Sequence, residues 1–329
     1  MTALPDSIES LLTKAFPHQQ ISHVQPLSGG LINTNLKIDF AGDHPSVVLR
    51  LYRDGPEVCR KELALHTLVQ AEVPVPRIFL AEPDGFSGSL PFTILEFVNG
   101  ITFEQLKRTN NTEAISQAAY SVGKTLAAIG RIHFAKPGSL IVDSSTSELR
   151  VGDPYVEGPD PIPTILDRFL ESPNCEQRVG KELVRRLHDF GWSWATRLPD
   201  LEHQSNLVHG DFGNRNILVH EAEGTWKVAA VIDWEFGFSG SPLLDVGHFL
   251  RYERKSNPLR EPSFSRSFLE HGGRLPDDWH NVVRLIDLTG LVEVLTHDDL
   301  PDDITVELLE LIHATLEERD PELSRNLMQ

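Results

Sequence analysis

The sequence predicts a two-lobed α+β fold, with a β-rich first lobe over residues 1–98 and a mostly helical second lobe over residues 99–329. Three observations predict it. Five strand-like runs and one internal helix fall before Phe97. After Val98-Asn99-Gly100 apolar residues recur mainly at helical spacing. The only compact β segment beyond that point is Leu207–Ile232. Such an arrangement leaves a cleft between two packed parts.

In chain order, residues 7–16 carry a helical apolar pattern that stops at Pro17. Strands are expected at Ile21–Leu27, Asn35–Phe40 and Val47–Tyr52, separated by Ser28-Gly29-Gly30 and by Gly42-Asp43-His44-Pro45. Val58–Glu72 reads as an amphipathic helix ending before Val73-Pro74-Val75-Pro76, where proline cannot continue it. Ile78–Leu80 and Phe92–Phe97 are the last two strands of the first lobe. In the second lobe, helices are expected at Ala114–Phe134, Ile162–Glu171, Glu176–Arg197, Trp279–Leu295 and Ile304–Arg319, with a surface loop at Gly152–Pro163.

Composition narrows the function. A net charge of −18 opposes binding to a nucleic-acid backbone. It is spread over both lobes, −4 before residue 99 and −14 after it, which suits general solubility as well as attraction of a cationic substrate. Cys59 and Cys175 are isolated thiols that suit a reducing compartment, so a cytoplasmic location is expected. Met1–Ser10 lacks the basic start and apolar core of a signal peptide, and no apolar run is long enough to span a membrane.

The chemistry concentrates in Leu207-Val208-His209-Gly210-Asp211-Phe212-Gly213-Asn214-Arg215-Asn216-Ile217 and, after a turn at Glu221–Thr225, in Val231-Ile232-Asp233-Trp234-Glu235. Phosphoryl transfer needs a carboxylate to orient the attacking hydroxyl and oxygen ligands to hold a metal against the phosphates. A hairpin would bring Asp211, Asn216 and Asp233 together for that work. These residues resemble the aminoglycoside phosphotransferase and choline kinase-like family of small-molecule kinases, in which H-G-D, four residues and N are followed one hairpin later by I-D-W/F/P. The resemblance runs over nearly the whole chain and implies a protein-kinase-like fold.

What the resemblance implies is specific. Asp211 is the expected catalytic base, Asn216 and Asp233 are the expected Mg2+ ligands, and His209 and Asp245 brace the loop. Ser28, Gly29, Gly30 and Leu31 form the turn that covers the nucleotide. Arg50 stands where kinases generally carry a lysine for the ATP phosphates; it can pair with phosphate bidentately. Glu62 would pair with it, and the backbone of Glu96 and Val98 would meet the adenine edge. Gly210 replaces the arginine of the protein-kinase H-R-D sequence, which points to the small-molecule branch. The expected cofactors are ATP and Mg2+, and the partner is a small molecule with a hydroxyl acceptor, aminated or sugar-like, metabolite or antibiotic. Glu235 is expected to contact that acceptor, together with Asp211. Asp298, Asp299, Asp302 and Asp303 read first as solvated loop charge. A nucleotide-binding pseudokinase is the alternative, motivated by Arg50. A protein kinase is disfavoured because no A-P-E segment follows and Asp211-Phe212-Gly213 lies inside the catalytic loop.

Overall fold

The computed structural model describes residues 12, 15–27, 33–86, 89–143, 146, 148–154, 161–194 and 203–317. Strands β1 (Ile21–Pro26), β2 (Thr34–Phe40) and β3 (Val47–Leu51) lead into helix α1 (Pro56–Val69), and β4 (Ile78–Glu82) and β5 (Phe92–Glu96) complete an antiparallel sheet ordered β1-β2-β3-β5-β4. The period-two alternation of β2, β3 and β5 puts Leu36, Ile38, Phe40, Val47, Leu49, Phe92 and Ile94 into one apolar cluster. The same alternation turns Arg50 to the other face, toward α1. Helix α1 starts two residues before its apolar periodicity because Pro56, fixed at a helical φ, opens the first turn after Gly55. Of the helix expected at 7–16, only residues 12, 15 and 16 are described.

Beyond the sheet, β6 (Ile101–Thr102) runs into α2 (Phe103–Arg108), started by a capping box between Thr102 and Gln105. Then follow α3 (Thr112–Ile129), the hairpin β7 (Gly138–Val142) and β8 (Leu149–Val151), and helices α4 (Pro161–Leu170), α5 (Pro173–Val179) and α6 (Lys181–Trp194). Strand β9 (Asn206–Val208) precedes the hairpin β10 (Ile217–Ala222) and β11 (Thr225–Val231). The short β12 (Phe238–Gly240) and helices α7 (Leu243–Leu250), α8 (Glu261–Glu270), α9 (Trp279–Val294) and α10 (Asp302–Glu317) complete the described chain. The α+β class with a β-rich first lobe and a helical second lobe is therefore as expected.

The second lobe holds more β structure than its sequence suggested. Besides the β10–β11 hairpin it contains β6, β7, β8 and β12, joined in sheets ordered β11-β10-β6 and β8-β7-β12-β9. These strands have two to five residues each, too short to display a period. The helix expected at Glu176–Arg197 divides at Gly180, whose φ of 78° ends α5 in the left-handed region. The helix expected at Ala114–Phe134 stops at Ile129, and His133 instead bridges Asn206. Helices α2, α7 and α8 were not expected; each has only six to ten residues.

One glycine fixes the packing of this lobe. Helices α3 and α8 approach so closely at Gly123 that a Cβ there would collide with the Phe264 carbonyl oxygen and lie 2.9 Å from the Phe268 nitrogen. Backbone has little room to retreat, so Gly123→Ala should destabilise the protein by about 1–3 kcal/mol despite the better helix propensity of alanine. Urea unfolding of the variant against the parent measures this, and an unchanged midpoint would contradict the close approach.

Candidate active site

Strand β9 delivers His209-Gly210-Asp211 to the base of the cleft, and the β10–β11 hairpin delivers Asn216 and Asp233. The hairpin turns tightly because Glu223 and Gly224 both have positive φ, 55° and 74°. Its open end is tied by the Ile232 N–H donating to the Asn216 carbonyl at 3.0 Å. Asn216 and Asp233 therefore emerge side by side. Asp233 itself lies at φ 64° and ψ 61°, a left-handed conformation that aspartate tolerates better than most residues. It starts the single turn Trp234–Phe236 that carries Glu235.

Asn216 donates Nδ2 to the Asp211 backbone oxygen at 2.9 Å and to Asp211 Oδ2 at 2.7 Å. That fixes the amide orientation and leaves Asn216 Oδ1, the atom a hard cation would take, with no hydrogen bond among the described residues. Burial pushes the Asp211 carboxyl up to about 6; Asn216 and Arg251 oppose the rise, while Asp233 and Glu235 add to it. No cluster of three His, Cys, Asp or Glu suited to a metal exists among the described residues. Asn216 and Asp233 offer only oxygen donors, and too few to enclose an ion. This matches Mg2+, which keeps waters and phosphate oxygens in its shell.

The loop beneath is held by Asp245 and His209. Both oxygens of the buried Asp245 accept backbone N–H groups, from His209 at 2.7 Å and from Gly210 at 3.0 Å. His209 Nε2–H donates to the Ile232 carbonyl at 3.0 Å, and its Nδ1 accepts the Asp211 N–H at 3.2 Å. Those two bonds require the neutral ring, and burial pushes its pKa down to about 4. Trp234 packs on the ring at 4.6 Å between centroids. Gly210 has a φ of 83°, and a Cβ there would lie 2.5 Å from the Phe236 carbonyl oxygen. No side chain fits at that position.

From the first lobe comes Arg50, only 4% exposed. Its Nε lies 3.2 Å from Glu62 Oε2, its Nη2 3.4 Å from Glu235 Oε1, and its Nη1 is held by Asp233. Burial works against its charge, but Glu62, Asp233, Tyr52 and Glu235 outweigh this and hold its pKa above the ordinary value. Burial pushes Glu62 up to about 7 even with Arg50 opposing. Glu235 Oε2 accepts Asn33 Nδ2 at 2.8 Å, so the carboxylate expected to meet the acceptor points to the first lobe. Ser28, Gly29, Gly30 and Leu31 lie outside the described residues. Glu96 ends β5, with its Oε2 accepting the Arg77 N–H at 3.1 Å, and the partly buried Val98 follows in the link to β6.

Two features were not read from the sequence. Asn33 adjoins the Gly-Gly turn, and only its position hinted at a role. The other is Arg251, which grips Asp287 through Nε and Nη2 at 2.6–3.0 Å, close enough to act on Asp211. Nothing in the residues around Arg251 marks it in advance.

A β-sheet lobe set over a helical lobe, with a carboxylate-bearing hairpin at the cleft between them, defines a kinase-like protein. The chain belongs to the phosphotransferase enzyme family, whose model matches residues 23–282. Among curated relatives, acyl-CoA dehydrogenase family member 11 of Homo sapiens is 27% identical over 176 residues, 54% of this chain and 20% of that protein. Hygromycin-B 4-O-kinase of Escherichia coli is 23% identical over 248 residues, 74% of this chain and 65% of that protein. The chain thus spans about a fifth of the length of the first relative. A thermostable mutant of aminoglycoside phosphotransferase APH(4)-Ia, solved with ADP and hygromycin B, superposes with a TM-score of 0.68 at 20% identity, covering 95% of this chain and 99% of that one. The GDP complex of wild-type aminoglycoside 2'-phosphotransferase-IIIa gives 0.64 at 18% identity, covering 95% and 99%. At such identities the likeness is one of fold.

The neutral His209 sets a pH signature. The unfolded ring takes a proton near pH 6.5, whereas the folded one resists it down to about 4. The stability His209 contributes is therefore complete above pH 6.5 and is lost as the pH falls toward 4. The stability advantage of the parent over His209→Asn should shrink by up to about 1.4 kcal/mol per pH unit across that window. Urea unfolding of both proteins measures it; a pH-independent difference would contradict a neutral buried ring.

Proposed function

We propose that the protein transfers the γ-phosphoryl group of ATP, with Mg2+, to a hydroxyl of a small molecule. The observation that carries this reading is the Asp211–Asn216–Asp233 cluster set against the buried Arg50, which Asp233 contacts directly. In this reading Asp211, buried and partly desolvated, accepts the hydrogen bond of the acceptor hydroxyl and holds it in line with the phosphate. Asn216 and Asp233 would hold Mg2+, which when bound offsets the charge of the phosphates. Arg50, kept by Glu62, meets the nucleotide phosphates. Ser28, Gly29, Gly30 and Leu31 would cover them with backbone N–H groups. Glu96 and Val98 offer backbone groups to the adenine edge. His209 and Asp245 hold the loop and touch no reactant.

The pseudokinase alternative rests on Arg50, but arginine keeps the charge and adds a second pairing edge, so its presence does not argue against turnover. The small-molecule branch is favoured over protein kinases by Gly210. The acceptor is a hydroxylated compound, for which aminated and sugar-like molecules are the first candidates.

The deciding experiment is coupled ADP release with Mg·ATP across aminoglycosides, amino alcohols and sugars. Acceptor-stimulated release is expected, and Asp211→Asn should lower kcat by roughly 100- to 10,000-fold with ATP affinity retained. Near-normal kcat in that variant would remove Asp211 from the role. Asp233→Ala should instead weaken Mg·ATP binding; unaltered affinity would rule out Asp233 as a metal ligand.

A further inference from the structure

Arg50 is surrounded more fully than a phosphate-binding cation needs to be. On the α1 side Glu62 Oε2 pairs with Nε at 3.2 Å as a charge contact without hydrogen-bond geometry. Glu235, from the opposite lobe, takes the far edge of the guanidinium through Nη2, and its other oxygen takes Asn33. Asn33 in turn accepts the Arg53 N–H at 3.4 Å and directly precedes β2. Both oxygens of Glu235 are thus engaged by the first lobe, and the residue is largely desolvated. Burial raises its pKa, while Arg50 and Asn33 lower it.

We propose that Glu235 is a positioning residue: it holds Arg50 and Asn33 in one arrangement, and it is the reason this site carries arginine where kinases generally have lysine. The proposal rests on the reading of Arg50 as the phosphate-binding cation. The geometry supplies the reason. Three carboxylates approach the guanidinium from three directions, Glu62 at Nε, Asp233 at Nη1 and Glu235 at Nη2. A guanidinium is a planar fork with donors on each of those edges, whereas an ammonium is a point charge on a flexible stem. Lysine at position 50 would answer Glu62 or the Asp233–Glu235 pair, but not both. Glu235 would then remain a half-buried carboxylate without its cation, close to where the phosphates must lie, and an unpaired buried charge is costly.

The substitutions Arg50→Lys, Glu235→Gln and both together test this. Two readouts are used, affinity for Mg·ADP by titration calorimetry and Tm by scanning calorimetry. Arg50→Lys should weaken Mg·ADP binding about tenfold and lower Tm. Adding Glu235→Gln should restore at least about threefold of the affinity and part of the Tm, because the stranded charge is gone. Lack of rescue in both readouts overturns the proposal. So does a Glu235→Gln variant whose only defect is a raised KM for the acceptor, since that is what direct acceptor contact predicts. Should Arg50→Lys not fold, Glu235→Ala and Asn33→Ala serve instead. Their Tm losses should be non-additive if the pair acts as one device, and simple addition overturns it. A parent protein that binds no Mg·ADP would refute the kinase reading, and the Tm coupling would still decide the role of Glu235.

Discussion

Arg50 sits in the middle of a five-stranded sheet, almost without water, and still carries its charge. A lone buried cation is untenable, so everything around it answers to its three nitrogens. One of its carboxylates comes from α1 in its own lobe and two from the hairpin of the other. The consequence is architectural. The two lobes meet through charges as well as through apolar contact, and they meet at the residues proposed to carry the chemistry. Removing one partner from such a set costs roughly 3–5 kcal/mol, more than a typical surface contact by a wide margin.

The helical lobe solves a different problem, keeping a short loop rigid. Between β9 and β10 the chain makes no regular backbone pairing, so its N–H groups must be satisfied otherwise. Asp245 does this from α7 for the His209 and Gly210 N–H groups, and the His209 ring does it from within for that of Asp211. Phe212 is buried in the same place, within an aromatic group that includes Phe249, Phe264 and Phe103. Asp211 is thus presented by a loop anchored through the buried His209, Phe212 and Asn216. The raised pKa of its carboxyl follows from that same burial.

Much of this was legible in the residues. All five strands of the first sheet and the helix after them announce themselves through alternation, turns and proline placement. The Asp211, Asn216 and Asp233 set was legible because the motif spacing and one hairpin together determine where it must lie. The short strands β7, β8 and β12 were not, since three to five residues carry no period and their pairing is decided by distant partners. The same holds for the break at Gly180, where a single glycine divides an otherwise continuous pattern. Glu235 shows the limit most clearly. Its sequence neighbours Asp233 and Trp234 suggested an acceptor contact, but the left-handed turn at Asp233 swings it toward Arg50 and Asn33. A dihedral angle, not the order of residues, decides which lobe it serves.

Gly210 carries a consequence of its own. With its φ at 83° and the Phe236 carbonyl against it, the position admits no side chain. Kinases that are switched by phosphorylating a neighbouring segment depend on arginines to receive the new phosphate and draw that segment into order. Position 210 can offer no such receptor, and the loop here is already held by Asp245 and His209 without one. Docking of a phosphate by a side chain at that position is closed to the protein.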